Sequence, residues 1–254
     1  QRLKDAFPSE SKAIDTYFNR LLNAKRINIM ERNQPDVSIG AYLDQLFNND
    51  ELKLILLGNL GYFHDDPYSL SLRYFSMAEG SYFSGRANFI RGGSQKLSDR
   101  LVEVIRDNGG KVLLNHRVES VHTEKGNVRS VTFKNVLPGN HSSIHASGSF
   151  YLANAPLPVI ASMMPAADSA SLRKVLSEQP AAASLLTVYY GFKQSLKSLG
   201  HSYYSTFIFD RTIHKPSDIL SNNQGDFAHR SFTFVDYSQV DAALAPEGQS
   251  VGAA

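Results

Sequence analysis

Cysteine is absent from the 254 residues, which excludes disulfides and thiolate metal sites and is compatible with a reducing compartment. Long hydrophobic runs are missing too: no stretch approaches the roughly 20 apolar residues of a membrane span, and residues 1–10 are too polar for a signal core. The cytoplasm is therefore the default location. Charge shows no bias, with 26 Lys and Arg against 24 Asp and Glu spread along the chain, so no concentrated basic patch speaks for nucleic acid. Two further absences concern motifs. None of the 17 glycines lies two positions from another, so there is no G-x-G turn of the kind that cradles a dinucleotide pyrophosphate. A G-x-S-x-G elbow is lacking as well, which sets aside a serine hydrolase.

What is present reads as an ordinary globular body, 42% hydrophobic and 20% charged, long enough for one large domain or two smaller ones. Residues 1 to about 85 read mainly helical. Ile14, Phe18, Leu21 and Leu22 make one stripe, Leu52, Ile55, Leu56 and Leu60 another, with breaks at 33–36 and 61–67. The segment 89–121 carries the most information. Gly92-Gly93 leaves bare backbone before an amphipathic helix on which Leu97, Leu101, Val104 and Ile105 share a side. Gly109-Gly110 supplies a left-handed stop, and a strand is expected from Val112 and Leu114 onward.

Short strands around Val118–Val121 and Val128–Phe133 flank a turn at Lys125-Gly126-Asn127, and Leu137–Asn140 is the next turn. Tyr151 and Leu152 close a strand ending in Asn154-Ala155-Pro156. The stretch 157–176 reads helical with a Pro165 interruption, followed by strands at 184–192, 203–209 and 231–235. Metal chemistry is set aside. His141 and His145 lack a helix that would aim both rings at one ion, and His64-Asp65-Asp66 before Pro67 reads as a solvated turn.

The order of several segments resembles the phytoene desaturase, carotenoid isomerase and retinol saturase family, within the amine-oxidase-like flavoproteins. The residues that carry it are Ala6-Phe7-Pro8 with Glu10, then Ala13-Ile14-Asp15 with Tyr17-Phe18, and Tyr42-Leu43-Asp44 with Leu46-Phe47, Asp50 and Leu52. The Gly92–Val121 segment, Tyr151–Pro156, and Asp241 with Leu244-Ala245-Pro246-Glu247-Gly248 follow in the same order. The resemblance implies FAD, with NAD(P) as a second cofactor to consider. It also implies chemistry at C–C double bonds of a polyene or isoprenoid-like lipophile, as desaturation, saturation or isomerisation.

The fold it implies is α+β (from an α/β parent): a helical and antiparallel-sheet substrate domain interleaved with part of an FAD-binding domain. Residues 1–85 and 157–254 would form the substrate domain and 86–156 the cofactor segment. Since the chain begins at Gln1 without methionine and has no G-x-G turn, it is expected to be an internal fragment, inactive alone, of a full-length enzyme.

By the same resemblance Arg91, Gly92 and Gly93 would lie near the flavin and the inner end of the substrate cavity. Val118 would offer backbone groups to adenine, its alternative being a half-buried strand valine. Asn154, Ala155 and Pro156 would end a strand beside the cofactor. Tyr62, Phe63, Tyr82, Tyr190 and Tyr204 are candidates to line the substrate site, with core packing as the ordinary alternative for each. A substrate drawn from lipid implies a peripheral membrane contact. A non-catalytic module that binds a lipophile or a partner protein is the competing function.

Overall fold

The computed structural model describes residues 1–85, 88–139, 142–179 and 184–254. Asn140 of the expected turn and His141 lie outside them. The chain forms two compact units, one made of Gln1–Leu97 and Ala183–Ala254, the other of Ser98–Ala182. Helices dominate the first part and both sheets are antiparallel, an α+β fold as expected.

In the first unit six helices precede the sheet: α1 (Arg2–Ala6), α2 (Ser11–Leu22), α3 (Ala24–Met30), α4 (Ile39–Leu46), α5 (Asp50–Leu56) and α6 (Leu72–Ser84). Three begin at side-chain caps that satisfy otherwise orphaned amides. Ser38, Asn49 and Ser71 accept from the N–H of Ala41, Leu52 and Tyr74 at 3.1, 2.9 and 3.1 Å. Asp50 and Glu51 in the first turn of α5 add favourable charge at the positive end of its dipole.

Ile14, Tyr17 and Leu21 of α2, Ile39 and Leu43 of α4, Phe47, Leu52, Leu57, Leu60 and Phe75 of α6 form one core with Ile213 and Ile219 from the later segment. Two residues of the expected stripes point outward instead. Leu22 is exposed because Tyr17 and Leu21 take the buried side of α2, and Ile55 because Leu52, Lys53, Leu54 and Leu56 are the buried positions of α5. The buried Glu10 carboxylate is matched by the N–H groups of Asn48 and Asn49 at 2.9 and 3.0 Å.

The later segment of this unit adds a four-stranded sheet in the order β4-β7-β6-β5, from β4 (Tyr189–Phe192), β5 (Ser205–Ile208), β6 (Phe232–Asp236) and β7 (Ser250–Ala253). The expected strands are shorter than their apolar runs, and β7 was not anticipated. Its Ser-Val-Gly-Ala sequence has little strand character; pairing with β4 and β6 on both sides makes it a strand.

The second unit holds the meander β1 (His116–Glu124), β2 (Asn127–Asn135) and β3 (Ser143–Ser147), which α7 (Gln95–Asp107) precedes in the chain. Helices α8 (Leu157–Met163) and α9 (Ala166–Ser177) follow, split at Pro165 as expected. Lys125 and Gly126, at φ 52° and 75°, make the two-residue hairpin turn between β1 and β2. Gly109, at φ 76°, stops α7.

Two expectations are corrected here. The strand begins at His116 rather than Val112, because Asn115 at φ 57° turns the chain just before it. Residues 151–156 form no strand: they run beside no ladder partner among the described residues, and Leu152 is fully exposed. The apolar stripe of α7 exists but buries nothing within its unit, so Leu97, Leu101, Val104 and Ile105 stay exposed. Among the described residues no helix is long and apolar enough to cross a membrane.

Helices α2 and α6 meet at Gly80, where an added Cβ would stand 2.1 Å from the Leu21 carbonyl oxygen. Backbone cannot step aside as a side chain can, so Gly80→Ala is expected to destabilise by about 1–3 kcal/mol in urea unfolding. The neighbouring Glu79 is buried. Its Oε1 accepts from the Asn59 amide at 2.8 Å while Oε2 has no partner. Burial pushes its carboxyl up, with the Asn59 hydrogen bond opposing. The folded state therefore holds this proton more tightly than the unfolded state, and stability falls as pH rises through the raised value. Glu79→Gln should raise Tm at pH 8, by a gain on the order of 1 kcal/mol. The difference should shrink toward pH 4, where both side chains are neutral.

Candidate functional site

Four tyrosines reach one surface of the first unit from four different elements. Tyr62 ends the 3-10 turn Leu60–Tyr62, Tyr82 lies on α6, Tyr204 immediately precedes β5, and Tyr237 opens the 3-10 turn Tyr237–Gln239 after β6. Tyr62 meets Phe207 edge-on at 5.9 Å between ring centroids, Tyr204 meets Tyr237 at 6.3 Å, and Phe89 meets Tyr237 at 6.2 Å. Burial pushes the Tyr204 phenol up, and the Tyr237, Tyr62 and Tyr82 phenols push it further. Tyr62 and Tyr82 each keep about 60% of their surface exposed, at 59% and 60%, leaving ring faces free for a ligand. Flat faces with polar tips suit a molecule that is mostly apolar.

Asp236 fixes two of these rings. It is fully buried, its N–H donates to the Tyr204 carbonyl at 2.8 Å, and its carboxylate accepts from the Ser238 N–H and the Gln239 amide at 3.1 and 3.0 Å. Sequence reasoning missed both Asp236 and Tyr237. An Asp two residues ahead of an amide that it can accept from is a turn signal, visible in Asp236-Tyr237-Ser238.

The Arg91–Gly93 turn joins the same region. Gly92 and Gly93 adopt φ 83° and 89°, the left-handed region that favours glycine. The Gly92 N–H donates to Asp241 Oδ2 at 2.8 Å, and Asp241 Oδ1 accepts from the Ala243 N–H at 3.0 Å. These two amides, with the Arg91 charge, hold the Asp241 carboxyl below the usual range. The Gly93 N–H donates to the Ile90 carbonyl at 2.8 Å. Both glycine amides are thus already bonded, and a carboxylate occupies the place where a phosphate would need them. This turn is a lock between chain segments and not a phosphate cradle.

Of the residues expected at the substrate site, Tyr62, Tyr82 and Tyr204 come together. Phe63 turns toward the core, edge-on to Phe75 at 5.8 Å. Tyr190 stacks on Phe192 at 5.9 Å, which in turn meets Phe234, on the β4–β7–β6 part of the sheet. In the second unit Val118 sits on β1, the edge strand of its sheet, opposite Phe133 of β2, and is part-exposed. Asn154, Ala155 and Pro156 are exposed, and Pro156 caps α8.

An open depression of 720 Å³ near α10 (Asp218–Gln224) is lined by polar and charged groups such as Thr212, His214, Lys215, Asp226 and His229. It shares no residue with the aromatic cluster. No group of three or more metal-ligating side chains converges among the described residues.

The Asp241 contact predicts a local effect. Asp241→Ala should accelerate hydrogen exchange at the Gly92 and Ala243 amides while leaving core amides protected. The carboxyl is held low, so the contact is complete above its unfolded range and is lost as pH falls through the folded value. In the wild type, acidification through that value should loosen the same two amides.

Comparison with known proteins agrees with this fold. Flavin containing amine oxidoreductases match over residues 2–251. The crystal structure of an oxidoreductase from Methanosarcina mazei superposes with a TM-score of 0.61 at 17% sequence identity, over 93% of this chain and 53% of that one. The chain thus spans about half the length of that relative, and the likeness at this identity is one of fold. No curated protein matches. The match along nearly the whole sequence places this protein in the flavin containing amine oxidoreductase family.

Proposed function

We propose that this chain supplies the substrate-facing part of an FAD-dependent oxidoreductase or isomerase that changes C–C double bonds in a polyene or isoprenoid-like lipophile. The observation that carries this reading is the exposed cluster of Tyr62, Tyr82, Tyr204 and Tyr237, edged by Phe207 and Phe89. Rings fixed by four separate elements form a wall that a flat, extended molecule can lie against without ordering the protein first.

The flavin, when bound, supplies the redox chemistry. The Arg91–Gly93 turn does not fit its pyrophosphate, since the Gly92 and Gly93 amides are engaged and Asp241 would repel the anion. In this reading the turn stands instead beside the substrate end, with Arg91 exposed. Val118, on an edge strand with one backbone side open, and Asn154–Pro156 are the second unit's candidate cofactor contacts. No observation here speaks for NAD(P). The chain's own residues bind and orient the lipophile and keep water from its face. Delivery from a lipid surface follows from the insolubility of such a substrate.

Thermal unfolding with added ligand tests this. A soluble polyene alcohol at 100 times its Kd should stabilise the chain by roughly 2.7 kcal/mol, and FAD alone should not. Tyr62→Ala with Tyr204→Ala should abolish the shift, with the unliganded Tm falling modestly because Tyr204, 43% exposed, packs against Tyr237. A shift that survives both substitutions would place the lipophile elsewhere and sink this reading.

A further inference from the structure

The meander of the second unit brings two imidazoles to one point. Its registers pair Ser120 of β1 with Thr132 of β2, and Thr132 with His145 of β3, so these three residues form a row across one face of the sheet. His122, the next residue along that face of β1, leans into the row. Its Nε2 lies 2.6 Å from the Thr132 hydroxyl oxygen and 3.2 Å from that of Ser120. His145 Nδ1 lies 3.1 Å from the same Thr132 oxygen. The two ring centroids stand 5.8 Å apart with their planes tilted by 36°. No other two imidazoles meet among the described residues.

A hydroxyl has one proton, so Thr132 donates to only one of the two facing nitrogens, and the other ring must turn an N–H toward it. An ion between the rings uses both lone pairs instead. Each ring then carries its proton on the far nitrogen, which water can reach because His122 and His145 are exposed. Two nitrogens about 2 Å from a tetrahedral ion hold their ring centres roughly 5 Å apart, and side-chain rotation spans the difference from 5.8 Å. The base of the site is fixed, since Thr132 is buried in the middle strand of a well-paired sheet. Imidazole donors suit copper(II), nickel(II) and zinc, whereas magnesium and calcium want oxygen ligands. No third His, Asp or Glu joins the pair among the described residues, so water completes the coordination and the ion exchanges with solvent.

We propose that His122 and His145 bind a divalent transition-metal ion, of the copper(II) or zinc class, that clips β1 to β3 above Thr132. The two outer strands each pair only with β2, so the ion adds a tie that the hydrogen-bond ladder lacks. This site lies in the second unit, shares no residue with the aromatic cluster and stands apart from the lipophile reading.

Isothermal titration calorimetry of the full chain with copper(II), zinc and magnesium chlorides tests this. The tightest site should hold one copper or zinc ion per chain, copper more tightly than zinc, and magnesium should not bind. His122→Ala and His145→Ala, both at exposed positions, should each weaken that site at least roughly tenfold, because even outer-shell partners of a metal cost about that much. His116→Ala, on the same strand as His122, should leave it unchanged. Electron paramagnetic resonance of the copper complex should show two coordinated imidazole nitrogens in the wild type and one in either variant. Affinity that survives both substitutions puts the ion elsewhere and overturns the assignment. Loss in only one variant, or a single nitrogen in the wild-type spectrum, overturns it in favour of a lone surface imidazole. Absence of copper and zinc binding overturns it outright.

Discussion

The close approach of α2 and α6 is the constraint on which the rest of the first unit depends. Gly80 lets the α6 backbone come against the Leu21 carbonyl, and Tyr17, Leu21 and Phe75 fill the space around that crossing. One residue before Gly80, Glu79 reaches the Asn59 side chain at 2.8 Å, immediately before the turn that ends in Tyr62. Two residues after Gly80, the same helix carries Tyr82. A packing requirement in the core therefore sets the separation of two rings on the surface. The cost is a buried carboxyl with one unpaired oxygen, the kind of local conflict that proteins keep where it holds something in place.

The other half of the cluster is positioned by two aspartates, through the Asp236 backbone N–H and both carboxylates. Asp236 ties Tyr204 to the turn that bears Tyr237, and Asp241 reaches across 149 positions of sequence to the Gly92 amide. The Asp236 carboxylate accepts the Ser238 N–H and the Gln239 side-chain amide, and Asp241 accepts two backbone N–H groups, from Gly92 and Ala243. The glycines of the Arg91–Gly93 turn thus serve geometry: left-handed φ values allow the turn, and the turn presents an amide to Asp241. The same chemistry decides against a phosphate there, because the donors are spent and the resident group is an anion.

The second unit contrasts with the first. Its meander is well paired and α8 and α9 are joined by Arg173, which bonds to the Ala161 carbonyl at 2.6 Å and the Ser169 hydroxyl at 2.9 Å. Yet α7 buries no residue within it, and Leu152, Phe150 and Leu157 are largely exposed. Periodicity showed that α7 would be an amphipathic helix, and it is one. Periodicity says which side is apolar and nothing about whether that side finds a partner.

The sequence by itself determined what depends on local chemistry. The helices of residues 1–85, the Pro165 split, the Lys125-Gly126 hairpin and the left-handed stop at Gly109 follow from side-chain periodicity, proline's fixed φ and glycine's freedom, all properties of a few consecutive residues. The order of its motifs also pointed to the flavoprotein group that the family match shows. Tertiary structure alone decided the rest. β7 is a strand because β4 and β6 lie on either side of it, while 151–156, with a better strand sequence, has no neighbour to pair with among the described residues. Tyr62, Tyr82 and Tyr204 looked much like Phe63 and Tyr190 in the sequence. What separated them was where the core placed each backbone, a long-range outcome that no window of neighbouring residues encodes.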